Sequence, residues 1–198
     1  PKIWDTETPY LYELKIKLKQ NGDIKDTASV HFGMRSFTQD LDSDPKGMFY
    51  LNGKKIRLRG ANTMGFEQQD VMHGDFSQLT DDILLAKLCN MNYLRITQRP
   101  VQSEVYDYCD MLGLMTQTDL PLFGCMRRTK FAEGVRQAEE MERIVRSHPC
   151  NIMVTYINEP FPNAHNQPHR HMTRPELEGF FEACDLAVHM QNPDRVIK

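Results

Sequence analysis

The most constraining feature of this sequence is the alternation of short apolar segments with amphipathic segments after residue 55. The apolar segments have the length of buried strands, and the segments between them place apolar side chains at helical spacing. Strands are predicted over residues 55–60, 93–97, 114–118, 152–157 and 195–197, and helices over 80–91, 103–112, 133–147 and from 174 onward. This alternation predicts parallel strands joined by right-handed crossover helices.

Capping signals predict where several of these helices begin and end. Thr80 is predicted to cap the first helix, and Gly113 to end the second in the left-handed conformation. Thr173 and Glu176 have the spacing of a capping box at the start of the fourth helix.

The sequence favours a barrel over an open, doubly wound sheet. The dinucleotide-binding fingerprint G-x-G-x-x-G does not follow the first predicted strand. A (β/α)8 barrel takes about 250 residues, whereas residues 56–198 have room for four units and the start of a fifth strand. We therefore expect an α/β fold that contains the first half of a (β/α)8 TIM barrel, in a chain that is a fragment of a larger protein.

The first forty residues predict antiparallel β-structure instead. Apolar and charged residues alternate over residues 12–19, and Asn21-Gly22 is a hairpin signal because both residues tolerate positive φ. Two strands alone do not form a stable sheet, so this segment is expected to be the end of a larger β-sandwich. The polar stretch 40–46 places a domain boundary between residues 1–40 and 41–198, and a second hairpin is predicted around Asn52-Gly53.

Composition argues against several classes of protein. The 198 residues have a net charge of −3, so no basic surplus indicates nucleic-acid binding. No apolar run approaches the roughly 18 residues of a membrane span, and no secretory leader pattern opens the chain. The five cysteines include no C-x-x-C pair and cannot all be paired, so we expect free, mostly buried thiols. The cellular compartment stays open.

The segments that follow the predicted strands are long, and the segments that precede them are short. Functional groups of parallel α/β proteins gather at the carboxyl ends of the strands, which is where the long segments lie. The apolar strand 152–157 ends there in Asn158-Glu159-Pro160. Partial desolvation at this edge would raise the pKa of Glu159, and a general acid that works near neutral pH requires a raised pKa. Asn158 could donate a hydrogen bond to a substrate hydroxyl. The alternative is that Glu159 only begins a loop or caps a turn.

Charged residues in or beside other strands add candidates to the same edge. Arg95 lies inside an otherwise apolar strand and needs a carboxylate partner, which it could orient for catalysis or simply satisfy. Arg59, at the end of the first predicted strand, suggests the same. Asp119 ends the third strand, where it would add a carboxylate or cap a turn.

The loop 163–171 contains three histidines within seven residues. A metal site is not favoured, because the histidines lack helical spacing and neighbouring acids. His165 is the candidate from this loop for lining a substrate cleft, and an uninvolved surface loop is the alternative. We expect no metal and no cofactor.

Together these segments resemble glycoside hydrolase family two, which comprises β-galactosidases, β-glucuronidases and β-mannosidases. Singly none is specific, but they follow one another in order over about residues 3–198. The segments that carry the resemblance are W-D-T-E-T-P-Y-L-Y (4–12), F-G-M-R (32–35), F-Y-L-N-G-K-K-I-R-L-R-G-A-N (49–62), N-Y-L-R (92–95), Y-C-D-M-L-G-L (108–114) and R-S-H-P (146–149) through Asn158-Glu159.

The resemblance implies an immunoglobulin-like β-sandwich domain before the barrel and a retaining exo-β-glycosidase activity. It implies that Glu159 is the general acid/base, that Asn158 binds the sugar 2-hydroxyl and that Arg95 supports the carboxylate of the nucleophile. Asp119 and His165 join these residues as candidate substrate-binding groups. The nucleophile would be a glutamate on strand seven, which this chain does not contain, so the chain alone is expected to be inactive.

The sequence departs from the family pattern at positions that recognise the sugar. Residues 62–64 are Asn-Thr-Met where many members have Asn-Arg-His, and residues 97–100 are Thr-Gln-Arg-Pro where many have Ser-His-x-Pro. Ser147 and Met111 also replace common residues. The sugar that is cleaved is therefore open.

Three alternatives remain at this stage. The chain could be a carbohydrate-binding or purely structural module that keeps a barrel face without catalysis. It could be a half-barrel that forms a homo-oligomer through unpaired strand edges. A different clan of retaining barrel hydrolase also has Asn-Glu-Pro, although the β-rich first forty residues argue against it. A carbohydrate is the expected partner, and neither nucleic acid nor a membrane is expected.

Overall fold

The computed structural model describes residues 1–122, 127–158 and 172–198. Its central element is a five-stranded parallel sheet in the order β10-β9-β8-β7-β6. The strands are β6 (Gly60–Thr63), β7 (Tyr93–Ile96), β8 (Met115–Asp119), β9 (Asn151–Thr155) and β10 (Val196–Ile197). Each strand pairs with the next in the sequence, which is the arrangement of consecutive strands in a (β/α)8 barrel.

Helices connect these strands and cover one face of the sheet. They are α1 (Phe66–His73), α2 (Phe76–Leu88), α3 (Ser103–Leu112), α4 (Phe131–Val145) and α5 (Arg174–Gln191), with a 3-10 turn over Arg128–Lys130. Their apolar side chains form the core with Leu94 and Ile96 of β7 and with Ile152 and Val154 of β9. Within the described ranges, no helix combines the length and the apolar character that crossing a membrane requires.

The predicted helix ends are confirmed for two helices and wrong for one. Thr173 and Glu176 form the capping box of α5, and Gly113 ends α3 with a φ of 73°. Thr80, however, does not cap the first long helix. Asp75 caps α2 by accepting a hydrogen bond from the Gln78 amide, and the Thr80 hydroxyl donates to the Phe76 carbonyl within the helix.

The first barrel strand lies later in the sequence than predicted. Residues 54–56 form β5 (Lys54–Ile56), which joins β3 (Phe37–Asp40) and β4 (Met48–Leu51) in an antiparallel sheet. The barrel begins instead at Gly60, where a Cβ would lie 1.8 Å from the carbonyl oxygen of Tyr93. Only glycine permits this approach of β6 to β7.

The amino-terminal hairpin forms as predicted and packs little of its apolar surface. Strands β1 (Tyr12–Gln20) and β2 (Asp23–Phe32) pair around Asn21-Gly22 as a two-stranded sheet, with Leu14, Ile16 and Leu18 more than half exposed. The segments that flank this hairpin attach to the barrel. The buried Trp4 indole donates to the Asp110 carbonyl at 2.8 Å, and Arg35 donates to the Pro149 and Asn151 carbonyls at 2.9 and 2.7 Å.

Four cysteines lie in the described residues, and all four are free. Cys109, Cys150 and Cys184 are buried and Cys89 is exposed, which agrees with the prediction of free, mostly buried thiols. Cys125 lies outside the described residues.

Candidate active site

The face of the sheet opposite the helices presents polar side chains near the carboxyl ends of β7 and β8. Side chains alternate between the two faces of a strand. The Thr118 hydroxyl bonds the hydroxyl of Tyr106 on α3, so Gln117 and Asp119 point to the other face. Parallel pairing places Arg95 of β7 beside Gln117 of β8. Arg95 therefore shares this inner face with Gln117 and Asp119.

Arg95 and Asp119 form a two-point ion pair at this edge. The Nε and Nη2 atoms of Arg95 lie 3.1 and 2.6 Å from Oδ1 and Oδ2 of Asp119. Asp119 is 1% exposed. Burial raises the pKa of the Asp119 carboxyl above its ordinary value, and the hydrogen bonds from Arg95 and Gln117 oppose that shift. The guanidinium thus compensates a carboxylate that would be costly to bury alone.

Asn158 is held on the other side of Arg95. The Nη2 atom of Arg95 donates to Oδ1 of Asn158 at 2.9 Å, and the Asn158 backbone amide donates to the Leu122 carbonyl at 3.3 Å. Asn158 is buried, and it lies three residues after Thr155, where β9 ends. One guanidinium therefore connects a carboxylate of β8 with an amide that follows β9.

Two further polar side chains of the same face were not predicted from the sequence. The Gln117 Nε2 atom donates to Oδ1 of Asp119 at 3.3 Å, and the Tyr93 hydroxyl donates to Oε1 of Gln117. Both residues lie two positions before a predicted one, Tyr93 before Arg95 and Gln117 before Asp119. The period-two spacing was the signal that could have identified them.

The structure brings together three of the predicted site residues, Arg95, Asp119 and Asn158, which we call the Arg95 group. Glu159 and His165 lie outside the described residues. Arg59 does not belong to this group. It precedes β6, at the opposite end of the sheet, and its guanidinium bonds the carbonyl and the side chain of Asn90 at 2.9 and 3.1 Å. The prediction was wrong because the first barrel strand begins after Arg59.

One group of described side chains has the composition of a metal site, at a different place. Asp107, Asp110 and His148 offer ligand atoms within 4.8 Å of one another. The His148 Nδ1 atom lies 2.7 Å from Oδ2 of Asp110, and the Cys150 amide donates to Oδ1 of the same carboxylate at 2.8 Å. These bonds fix α3 to the segment before β9, so we interpret the cluster as a structural junction.

Glu67, on α1, has a buried carboxylate away from the Arg95 group. It is 6% exposed, and its Oε2 atom has no hydrogen-bond partner among the described residues. Burial raises the pKa of Glu67 above its ordinary value, and polar interaction with its own backbone and with Thr63 opposes that shift in part. The negative charges of Asp82 and Asp70 add to the shift. Ionised Glu67 is therefore a cost to the fold near neutral pH.

Replacing Glu67 by glutamine should raise stability at pH 7 by about 1 kcal/mol, because the amide is neutral and similar in shape. A raised pKa means that the folded state binds the proton more tightly, so wild type loses stability as the pH rises through that pKa. The variant lacks this loss. The difference in stability between the variant and wild type should therefore disappear near pH 4, where Glu67 is protonated. Thermal unfolding at both pH values measures it, with the exposed Glu182→Gln as control. A gain of equal size at both pH values would contradict this account.

Comparison with known proteins gives two family matches. The family described as "Glycosyl hydrolases family 2" matches residues 1–35. The family described as "Glycosyl hydrolases family 2, TIM barrel domain" matches residues 45–176. The second match covers more than half of the chain.

Curated relatives and solved structures agree with these matches. A β-galactosidase of Priestia megaterium is 34% identical in an alignment of 181 positions that covers 81% of this chain and 17% of that protein. A putative β-glucuronidase of Formosa agariphila is 36% identical in an alignment of 127 positions that covers 61% of this chain and 14% of that protein. The crystal structure of Parabacteroides merdae β-glucuronidase matches the whole chain and 24% of its own length, with a TM-score of 0.80 and 20% identity.

These similarities confirm the predicted fold class. The chain has the first part of a TIM barrel, preceded by the last strands of an immunoglobulin-like β-sandwich. It spans less than a quarter of the length of the curated relatives described above.

Proposed function

Because the chain belongs to glycosyl hydrolase family 2, we propose that it is part of a retaining exo-β-glycosidase that hydrolyses O-glycosidic bonds of β-linked sugars. The observation that supports this proposal best is the Arg95 group. It places a buried carboxylate and a buried amide at the carboxyl end of a parallel sheet, and the amide directly precedes Glu159. Catalytic groups of barrel enzymes come from this end of the strands.

Each residue of the site has a proposed role. Glu159 protonates the oxygen of the leaving group and then removes a proton from the attacking water. The Asn158 amide donates to the sugar 2-hydroxyl, and Arg95 supports the nucleophile. Asp119 contributes to substrate binding through Arg95, because its two oxygens accept hydrogen bonds from that side chain. His165 lines the sugar cleft.

The second carboxylate of the mechanism is proposed to come from a part of the barrel outside these 198 residues. Retaining enzymes need two carboxyl groups about 5–5.5 Å apart, one of which attacks the anomeric carbon. Five parallel strands are described, whereas a closed barrel of this type has eight. The small share of each relative that the chain covers supports the same proposal.

We also keep the division between residues 1–40 and 41–198 as a proposal. It is supported by the two separate family matches, which end at residue 35 and begin at residue 45. Strand β3 lies before the proposed boundary and pairs with β4 beyond it, so the two parts share one antiparallel sheet.

The 198-residue chain alone should not hydrolyse glycosides, since it would hold the acid/base without the nucleophile. Incubation of the purified chain with a nitrophenyl β-glycoside measures this directly. Turnover above the uncatalysed rate, after an inactive Glu159→Gln preparation has excluded contamination, would contradict the proposed division of the site.

The activity itself is tested on the longest natural protein that contains this sequence. The relatives are named as β-galactosidases and β-glucuronidases, so the substrate panel includes nitrophenyl β-galactoside, β-glucuronide and β-mannoside, each with its α-anomer. We expect turnover of at least one β-glycoside and of none of the α-anomers. Binding of these sugars without hydrolysis would support the alternative of a carbohydrate-binding module.

A further inference from the structure

Gln117 and Tyr93 extend the Arg95 group away from the carboxyl edge of the sheet. Gln117 is 2% exposed, and Tyr93 is partly buried on the neighbouring strand. Parallel pairing places Gln117 beside Arg95 and Tyr93 beside Met115, so Gln117 lies one layer and Tyr93 two layers deeper than Asp119. A buried glutamine needs partners for both ends of its amide, and here both ends have one.

Chemistry fixes the direction of every hydrogen bond in this group. A carboxylate only accepts and a guanidinium only donates. The end of the Gln117 amide that lies 3.3 Å from Oδ1 of Asp119 must therefore be its NH2 group. The carbonyl end then faces the Tyr93 hydroxyl, which donates to it. Reversal of the amide would set two acceptor oxygens against each other.

The same rule fixes Asn158 at the other end of the group. Arg95 can only donate, so the atom 2.9 Å from its Nη2 must be the amide oxygen of Asn158. The NH2 group of Asn158 is then on the side of its amide away from Arg95. The orientation in which Asn158 can donate to a sugar hydroxyl is thus set by where Arg95 is held.

Arg95 is held by Asp119, and Asp119 is held in turn by Gln117. Oδ1 of Asp119 accepts from both the Arg95 Nε atom and the Gln117 Nε2 atom. Among the described residues, the Asp119 carboxylate would keep only its contacts to Arg95 without the bond from Gln117, and it could then rotate with that side chain. Loss of the Tyr93 hydroxyl would leave the Gln117 carbonyl buried without that donor, which favours reorientation of the amide.

We propose that Tyr93 and Gln117 are positioning residues that fix, through Asp119 and Arg95, the orientation in which the Asn158 amide meets the substrate. This inference rests on the proposed glycosidase function. It adds two residues that neither the sequence nor the family resemblance assigned, and neither residue needs to touch the sugar.

The test compares two tyrosine-to-phenylalanine variants in the longest natural protein that contains the chain. Tyr93→Phe removes the hydroxyl that bonds Gln117, and Tyr106→Phe removes a hydroxyl that bonds the adjacent Thr118 at 2.9 Å on the helix-covered face. Each variant loses one hydroxyl oxygen that contacts a side chain of β8, so the two changes are chemically matched. We expect Tyr93→Phe to lower kcat/KM on the preferred aryl β-glycoside about tenfold, and Tyr106→Phe to change it less than twofold where both are folded.

A 2-deoxy substrate separates positioning from a general loss of structure. Without the 2-hydroxyl, the orientation of Asn158 no longer matters, so Tyr93→Phe should lose clearly less activity on the 2-deoxy glycoside than on the 2-hydroxy glycoside. Any loss that remains on the 2-deoxy sugar is the part that reaches the nucleophile through Arg95. Gln117→Leu, which removes both of its bonds, should lose more on both sugars and again most on the 2-hydroxy sugar. Equal losses on both substrates, or equal losses in Tyr93→Phe and Tyr106→Phe, would overturn the inference.

An NMR measurement on the same variants decides the inference without turnover. With labelled arginine and asparagine, Tyr93→Phe should shift the Arg95 Nε–H signal and the Asn158 side-chain amide signals, and should speed their exchange with water. Tyr106→Phe should leave them unchanged. If wild type hydrolyses no glycoside, the proposed function fails while these spectra still decide the positioning role. Unchanged Arg95 and Asn158 signals in Tyr93→Phe would overturn it.

Discussion

Replacing Glu159 by glutamine in the complete enzyme is expected to lower kcat/KM, which reports the step in which the leaving group departs, about 10²- to 10⁴-fold on β-glycosides with poor leaving groups. The reason is that an alkoxide leaves only when it is protonated in the transition state, and glutamine cannot supply that proton. An activated aryl leaving group needs little protonation, so the loss on it should be far smaller. The expected result is a steep dependence of rate on leaving-group pKa that wild type lacks.

A series of aryl β-glycosides with graded leaving-group pKa values measures this dependence. Glu182→Gln, an exposed change on α5, serves as the matched control and should leave the rates of the whole series unchanged. An equal loss on poor and good leaving groups would contradict the role of Glu159 as an acid. It would indicate instead that the residue contributes only to folding or to binding.

Replacing Glu142 by alanine is expected to lower the free energy of unfolding by about 3–5 kcal/mol. Glu142 of α4 is fully buried and Arg195 is 5% exposed. Their two bonds measure 2.8 and 2.9 Å, and Asn192 donates to the same carboxylate at 3.0 Å. Removing the carboxylate leaves a guanidinium buried without its countercharge, between α4 and the approach to β10.

Chemical denaturation measures this loss, with Glu140→Ala as the control on the same helix. Glu140 pairs with Arg136, and both side chains are about half exposed, so its removal should cost less than about 1 kcal/mol. The double variant Glu142→Leu with Arg195→Met should regain much of the stability, because no charge is then buried unpaired. A single-variant loss no larger than that of Glu140→Ala would contradict this account.

The alternation of strands and helices could be predicted because its signals are local. The apolar periodicity of α3 and α4, the left-handed Gly113 and the Thr173 capping box depend on neighbours within a turn. Local signals therefore identified the elements from the first long helix onward. The start of that helix differs from the prediction by a few residues because Asp75, not Thr80, caps it.

The first barrel strand could not be located by the same means. Residues 54–56 and 60–63 both have sequences that tolerate extended structure, and their assignment depends on which partner strand each one meets. Lys54–Ile56 pairs with β4, whereas Gly60 is selected by its approach to the Tyr93 carbonyl. That contact joins residues 33 positions apart, which no local pattern reveals.

The candidate site was predictable where a polar residue interrupts or ends an apolar strand. Arg95, Asp119 and Asn158 met that condition, and the structure places them in one hydrogen-bonded group. Tyr93 and Gln117 did not. Tyrosine is common in strands, and Gln117 lies between two threonines that face the other side of the sheet. Their period-two spacing from Arg95 and Asp119 places them on the same face, but the register of β7 and β8 was needed to show that the two side chains meet.

The central claim, that Glu159 is the acid/base of a retaining β-glycosidase, is tested most directly by adding azide to a Glu159→Ala variant of the complete enzyme. An activated aryl β-glycoside still forms the covalent glycosyl-enzyme, and azide needs no general base in order to attack it. The account predicts that azide restores turnover and that NMR shows a β-glycosyl azide, the product of two inversions. Turnover that does not respond to azide, or an α-glycosyl azide, would contradict it.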